Sequence, residues 1–219
     1  MKPIFLLMAA FFGLGLGIST PPVTAIVEVR TTEVPLRKVL EMIKRTSVIV
    51  DQNGTGVCIG HSKEGSYILT AKHVTDNSED HFIVAWGEAG RYTTLEAKLI
   101  ADSGDYDLAL LHVKAFLPNL KMSPLNAPVR GLVIVGGVSY YNWRGRLPVA
   151  TVVGTVTSYE AQQMEYSATV SPGYSGGPVV DYYSGELVGI TQMMFISQAD
   201  RSLGCPVETI IAWLSRLPK

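Results

Sequence analysis

The sequence is poor in charge and in cysteine. Charged residues make up 17% of 219 residues and the formal net charge is −1. No basic excess is present to hold nucleic acid, and no polybasic stretch to hold an anionic membrane surface. Two cysteines are too few for a small disulfide-stapled scaffold. The four histidines fall in no HExxH motif and in no paired Cys/His spacing, so no metal is expected. GTGVCIG (54–60) is glycine-rich but lacks the Lys-Ser/Thr of a phosphate loop. No cofactor is expected, and no internal repeat or low-complexity segment is evident. The apolar fraction of 47% marks a globular chain long enough for one good-sized domain or two small ones.

No apolar run reaches the length of about 20 residues that spans a bilayer as a helix. The longest candidate, Ile4 to Ile18, has 15 residues, follows Lys2 and is broken by Ser19-Thr20-Pro21-Pro22. Val23-Thr24-Ala25 then places small residues where a signal peptidase reads. Residues 1–25 are therefore expected to be a signal peptide cleaved after Ala25, the alternative being an uncleaved membrane anchor. The expected location is periplasmic or secreted, with membrane contact only through the N-terminal segment if it is retained. Cys58 and Cys205 sit in apolar strand-like contexts, VCIG and LGCPV, where a free thiol packs as a small hydrophobe. In an exported protein their even count also permits a disulfide, but nothing in the sequence shows that they meet.

Leu36, Val39, Leu40 and Ile43 recur at helical spacing and predict a short helix over Leu36 to Arg45, within an N-terminal segment over 26–45. Short β-rich runs follow: SVIV (47–50), GVCIG (56–60), YILT (67–70), HFIVAW (81–86), YTTLEAKLI (92–100) and DLALLHV (107–113). Gly, Asn, Asp and Ser punctuate them, and no long helical pattern intervenes, so the pattern is antiparallel β. A proline-containing stretch ending at residue 130 reads as a linker. A second β-rich series then runs through LVIVGG (132–137), VATVVGTVTSY (149–159), EYSATV (165–170), PVVD (178–181) and ELVGITQMMF (186–195). Val207, Ile210, Ile211 and Leu214 form an apolar helical stripe after Pro206, predicting a C-terminal helix over 207–219. The expected architecture is all-β: a first barrel over 46–115, a linker over 116–130, a second barrel over 131–206, and a helix at each end. Tyr140, Tyr141, Trp143 and Arg144 form an aromatic-basic cluster, either a contact surface or a loop anchored by its aromatics.

Three local patterns concern chemistry. His73 follows a strand end in YILTAKHV, Asp107 opens the apolar run DLALL, and Ser175 lies in SPGYSGGPVVD (171–181). Each fragment alone is weak. Glycine is costly to order, so the cluster around Ser175 signals either a loose turn or a backbone bent to aim its N–H groups at a ligand. Asp102 and Asp105 compete with Asp107, and Ser171 with Ser175. Ser171 precedes a proline and lacks flanking glycines.

Together these patterns resemble a trypsin-like serine endopeptidase, most similar to the HtrA/Deg-type protease domain. The likeness rests on GTGVCIG, YILTAKHV, DLALL, SPGYSGGPVV, GELVGIT and PVETI and extends from about Ser47 to the C-terminus. It implies two six-stranded antiparallel β-barrels of the chymotrypsin kind and a protein or peptide substrate. It implies Ser175 as nucleophile, His73 as general base and Asp107 as the carboxylate that orients the imidazole. The N–H groups of Gly173 and Ser175 would form the oxyanion hole. It also implies a primary pocket near Thr169, Val170 and Ser171, and a substrate-pairing strand at Thr191, Gln192, Met193 and Met194. Thr169 stands where trypsin carries its specificity aspartate. A buried arginine or lysine would therefore be unpaired there, and small or medium aliphatic residues are expected before the scissile bond. One departure is Tyr174, where digestive relatives carry an aspartate that pairs with a newly released N-terminus, so no such switch is expected. The residues after Ser175 are expected to be used up by the second barrel and its helix, leaving no room for a PDZ domain. A non-catalytic trypsin-like binding module, a viral or phage-type polyprotein protease and an esterase remain the alternatives. The esterase is disfavoured because Ser175 runs into a strand, PVVD, rather than into the helix of a nucleophile elbow.

Overall fold

The computed structural model describes residues 34–76, 80–86, 91–138, 149–195 and 198–218, with the side chains of residues 194, 195, 198 and 199 outside the description. The expected signal segment and the 140–144 aromatic cluster lie outside the described residues. Among those described, no helix is long and apolar enough to cross a membrane.

Six strands close the first barrel: β1 (Ser47–Val50), β2 (Gly54–His61), β3 (Ser66–Thr70), β4 (His81–Trp86), β5 (Tyr92–Ser103) and β6 (Leu108–Val113). Their order around the barrel is β1-β2-β3-β6-β5-β4, and β1 pairs back onto β4. Six more close the second: β7 (Leu132–Gly137), β8 (Ala150–Glu160), β9 (Gln163–Ser167), β10 (Pro178–Asp181), β11 (Leu187–Phe195) and β12 (Gln198–Pro206). Their order is β10-β11-β12-β9-β8-β7, with β10 pairing back onto β7. Read from each barrel's first strand, the two orders are the same, so one topology occurs twice although the sequence shows no repeat. All the strand pairs are antiparallel. Closure leaves no unpaired sheet edge.

Burial follows from closure. β4 alternates buried and more accessible positions along HFIVAW, as a strand with one face in a barrel must. β1 and β10 are buried at every position, because their outer faces are covered as well. Val48, Val50, Ile68, Ile83, Leu111 and Val113 belong to one core, and Val135, Val156, Met164, Tyr166, Val179 and Val188 to another. A third joins Val57, Leu69 and Leu108 of the first barrel to Ile134, Val180 and Ile190 of the second. Both terminal helices seal that third core. α1 (Leu36–Thr46) contributes Val39 and Ile43, and α3 (Val207–Leu214) contributes Ile210 and Trp213. The linker is pinned to β11: Ser123 N–H donates to Leu187 O at 2.9 Å, and Leu187 N–H to Lys121 O at 2.8 Å.

Three local expectations are corrected. The stripe expected on α3 included Ile211, which is 37% exposed, whereas Trp213 at 6% faces the core with Val207 and Ile210. Leu36 on α1 is likewise exposed; it opens the helix, and the buried contacts are made at Val39 and Ile43. The run QADRSLGCP forms β12, a strand absent from the expected set. Its backbone is held between β11 and β9, so pairing with neighbours makes it a strand despite its charge and glycine. Cys58 and Cys205 are both buried and free.

Candidate active site

The four-residue helix α2 (Lys72–Thr75) follows β3 and presents His73. Asp107 stands one residue before β6 with φ +47°, a conformation uncommon for a residue with a Cβ. The Lys72 N–H donates to Asp107 O at 3.1 Å and holds that bend. The Asp107 carboxylate then grips His73 twice: Oδ1 accepts the His73 backbone N–H at 3.0 Å, and Oδ2 lies 2.8 Å from Nδ1. The two side chains are 45% and 33% exposed, so the pair opens to solvent. The hydrogen bond to the Asp107 carboxylate raises the His73 pKa above its ordinary 6.5, while burial opposes the rise.

Ser175 lies between β9 and β10. The turn before it is built by Pro172 and Gly173: Tyr174 N–H donates back to Ser171 O at 3.1 Å, and Gly173 has φ +99°. Proline at the first central position and a positive φ at the second define a type II turn, which is why glycine stands there. Beyond the turn, Gly177 N–H donates to Tyr174 O (2.8 Å), Gly176 N–H to Thr191 O (2.7 Å) and Thr55 N–H to Ser175 O (2.8 Å). Thr55 Oγ1 donates to Gly173 O at 2.6 Å. The neighbouring carbonyls and N–H groups are thus taken, and no acceptor among the described residues takes the N–H of Gly173 or of Ser175. Those are the two donors expected from the sequence. Gly176, at φ +80°, has no room for a side chain: a Cβ there would lie 2.0 Å from Thr55 O.

The two halves of the site meet at two places. A Cβ on Gly54 would lie 2.6 Å from Val74 Cγ2 and 2.8 Å from Ser175 O, so Gly54 separates the histidine segment from the serine by a single backbone. On the other side, Gln192 of β11 donates its side-chain amide to the carbonyls of Tyr106 and Asp107, the latter at 3.4 Å. The Gln192 carbonyl accepts the Ser175 hydroxyl at 3.3 Å. The serine hydroxyl is therefore directed at Gln192 O in this structure and not at His73.

The expected specificity residues take different positions. Thr169 is exposed, Val170 is buried and Ser171 is half-buried. Thr191 is 1% exposed, with its hydroxyl accepting from Tyr166 O–H at 3.0 Å. Met193 is 56% exposed and does not fill the barrel core; the Met194 side chain lies outside the described residues. The other histidines have local partners: His61 with Leu117 O (2.7 Å), His112 with Ser62 Oγ (2.8 Å), and His81 with Asp51 Oδ2 (2.8 Å). Among the described residues no group of three or more His, Cys, Asp or Glu side chains could hold a metal ion.

Two features escaped the sequence. His81 and Asp51 make a second His–Asp pair, with Asp51 Oδ1 accepting Phe82 N–H at 2.8 Å. It differs from the His73–Asp107 pair in that the aspartate accepts the N–H of the residue after the histidine, and its side chains are only 5% and 8% exposed. Buried in this way, it fastens the β1–β2 turn. Gln192 was expected only to offer backbone to a substrate, and its amide bridge to the Asp107 loop had no signal in a single sequence.

The model of the family described as trypsin-like peptidase domain matches residues 54–190, more than half of the chain. The chain belongs to this family. The chain is 27% identical over 176 residues to serine protease Do-like HtrB of Bacillus subtilis, covering 71% of this chain and 36% of that protein. It is also 27% identical over 173 residues to protease Do-like 1, chloroplastic, of Arabidopsis thaliana, covering 72% of this chain and 38% of that one. The chain thus spans less than two-fifths of the length of these curated relatives. Among solved structures it is similar to the serine endoprotease from Yersinia pestis, with a TM-score of 0.71 and 24% identity over 84% of this chain and 68% of that one. A protein of M. tuberculosis H37Rv, solved in an inactive form as a serine-to-alanine mutant, superposes with a TM-score of 0.67 and 18% identity, covering 85% and 94%. The fold of this domain is chymotrypsin-like.

Proposed function

We propose that the protein is a serine endopeptidase that hydrolyses peptide bonds through an acyl-enzyme on Ser175. The observation that carries this is the Asp107–His73 pair, linked through Gln192 to a serine turn in which no acceptor among the described residues takes the N–H of Gly173 or Ser175. A serine hydroxyl is a weak nucleophile until a base takes its proton during attack. Here the Ser175 hydroxyl rests on Gln192 O. Rotation about its Cα–Cβ bond turns it towards His73 when substrate fills the cleft, in keeping with catalytic hydrogen bonds that tighten only in the complex.

As Oγ bonds to the substrate carbonyl carbon, His73 Nε2 takes the hydroxyl proton. Asp107 accepts from the His73 Nδ1–H, fixing the tautomer and stabilising the imidazolium. The carbonyl oxygen becomes an oxyanion, which the N–H groups of Gly173 and Ser175 receive. The tetrahedral species collapses, the C–N bond breaks and His73 returns its proton to the leaving amine. Water then attacks the acyl-enzyme by the same sequence and frees Ser175. One oxyanion donor of this kind is worth about 10²–10³ in kcat.

By the resemblance, Thr169, Val170 and Ser171 and the strand Thr191–Met194 are proposed to line the substrate cleft. No acid stands at Thr169 to pair a basic side chain, so peptides with Ala, Val or Leu before the scissile bond are the expected substrates. Best cleavage after Arg would overturn this part of the proposal. Residues 1–25 are proposed as an export signal, and the N-terminal sequence of the secreted chain tests it: an N-terminus at Ile26 supports cleavage, a retained Met1 the anchor. The activity itself is tested by casein hydrolysis with the wild-type chain and its Ser175→Ala variant. Loss of hydrolysis in the variant is expected, and equal hydrolysis by both would contradict the proposal.

A further inference from the structure

Thr55 is a first-barrel residue, the second of β2, and is fully buried. All its polar groups are engaged, and three of the four contacts concern the second barrel. Its N–H donates to Ser175 O at 2.8 Å. Its hydroxyl donates to Gly173 O at 2.6 Å and accepts the Val138 N–H at 2.9 Å. Its carbonyl accepts the Thr70 hydroxyl at 2.7 Å, which fastens the residue to β3 of its own barrel.

We infer that the Thr55 hydroxyl is a positioning residue for the oxyanion site, acting across the interface between the barrels. This rests on the proposed role of the Gly173 and Ser175 N–H groups. The carbonyl that the hydroxyl grips belongs to the peptide joining Gly173 to Tyr174, whose N–H is already held by Ser171 O at 3.1 Å. With both ends of that peptide held, Gly173 keeps its φ of +99° and its own N–H has one direction. The backbone N–H of Thr55 does the same for the peptide after Ser175. A glycine-rich turn has other accessible conformations, and oxyanion donors act only when preorganised. The 2.6 Å bond removes the freedom that Gly173 would otherwise have. Because the hydroxyl also accepts from Val138, rotation away from Gly173 would break two bonds. The contact differs from a packing role in that the γ-methyl group takes no part in it.

The chain is tested as wild type, Thr55→Val and Thr55→Ser, by steady-state hydrolysis of one aliphatic peptide amide, with thermal denaturation of each. Valine keeps the shape and loses the hydroxyl; serine keeps the hydroxyl and loses the methyl. The valine variant is expected to lose about 10–100-fold in kcat with KM within about twofold, somewhat less than direct loss of an oxyanion donor. The serine variant is expected to stay within about threefold of wild type. Wild-type kcat in Thr55→Val would overturn the inference, as would an equal fall in both variants, which would assign the effect to the methyl. Should the valine variant not fold, Thr55→Ala takes its place, carrying no donor, and an unchanged kcat in it would overturn the inference equally. An active wild type with an active Thr55→Val removes this inference alone. A wild type that neither hydrolyses peptide nor labels at Ser175 removes the active-site proposal beneath it.

Discussion

Asp107 holds His73 by both carboxylate oxygens, one on the backbone N–H at 3.0 Å and one 2.8 Å from Nδ1. The aspartate thus sets where the ring stands as well as which nitrogen carries the proton. Nε2 is left for the proposed nucleophile.

This grip has a pH signature. His73 must be neutral to act as a base, and the Asp107 hydrogen bond raises its pKa from 6.5. The acid limb of kcat/KM should therefore have its midpoint above 6.5, with activity rising as the histidine loses its proton. Asp107→Asn removes the charge and favours the wrong tautomer, so kcat should fall by about 10⁴. A pH–rate profile of the wild type and single-turnover rates of the variant check both.

Gln192 joins the barrels beside the site through the carbonyls of Tyr106 and Asp107. Gln192→Ala should cost about 1 kcal/mol of stability, the usual worth of such a hydrogen bond. It should also lower kcat/KM by about tenfold, because the Asp107 loop loses its tie to the serine strand. Urea denaturation and peptide hydrolysis read the two effects separately.

Gly176→Ala should be severely destabilising. The added methyl would meet Thr55 O at 2.0 Å and Thr70 Oγ1 at 2.1 Å, with the backbone at φ +80°. Backbone strain and overlap together predict a loss of about 3 kcal/mol or more. A melting temperature close to wild type would contradict the close approach of the barrels at this glycine.

The two thiols should be silent in the folded protein. Both are buried, and burial pushes the Cys205 thiol up to about 12, helped by the nearby Asp107 charge; burial raises Cys58 as well. Thiolate is the reactive form. Iodoacetamide should modify neither residue in native protein and both in denaturant, as read by intact mass.

Much of this was legible in the sequence because short runs of β-branched and aromatic residues bounded by turn formers mark strands, and HFIVAW and LVIVGG coincide with β4 and β7. The glycines around Ser175 were legible for a steric reason, since few other residues adopt the turn at Gly173 or fit at Gly176. β12 was not, because QADRSLGCP has no pattern of its own and is a strand only through its neighbours. The four-residue helix carrying His73 is shorter than any periodicity. Thr55 lay inside GTGVCIG, where only the glycines and the family likeness drew notice. Its hydrogen bonds to Gly173 and Val138 span 118 and 83 residues, and no local pattern encodes contacts of that range.

The central claim is that Ser175 is a nucleophile activated by His73, and covalent labelling tests it most directly. The full chain is treated with a fluorophosphonate and the adduct is located by peptide mapping, alongside Ser175→Ala and His73→Ala. A single adduct on Ser175, absent from the alanine variant and strongly slowed without His73, is the expected result. A folded wild-type chain that takes no label, or takes it elsewhere, would contradict the account.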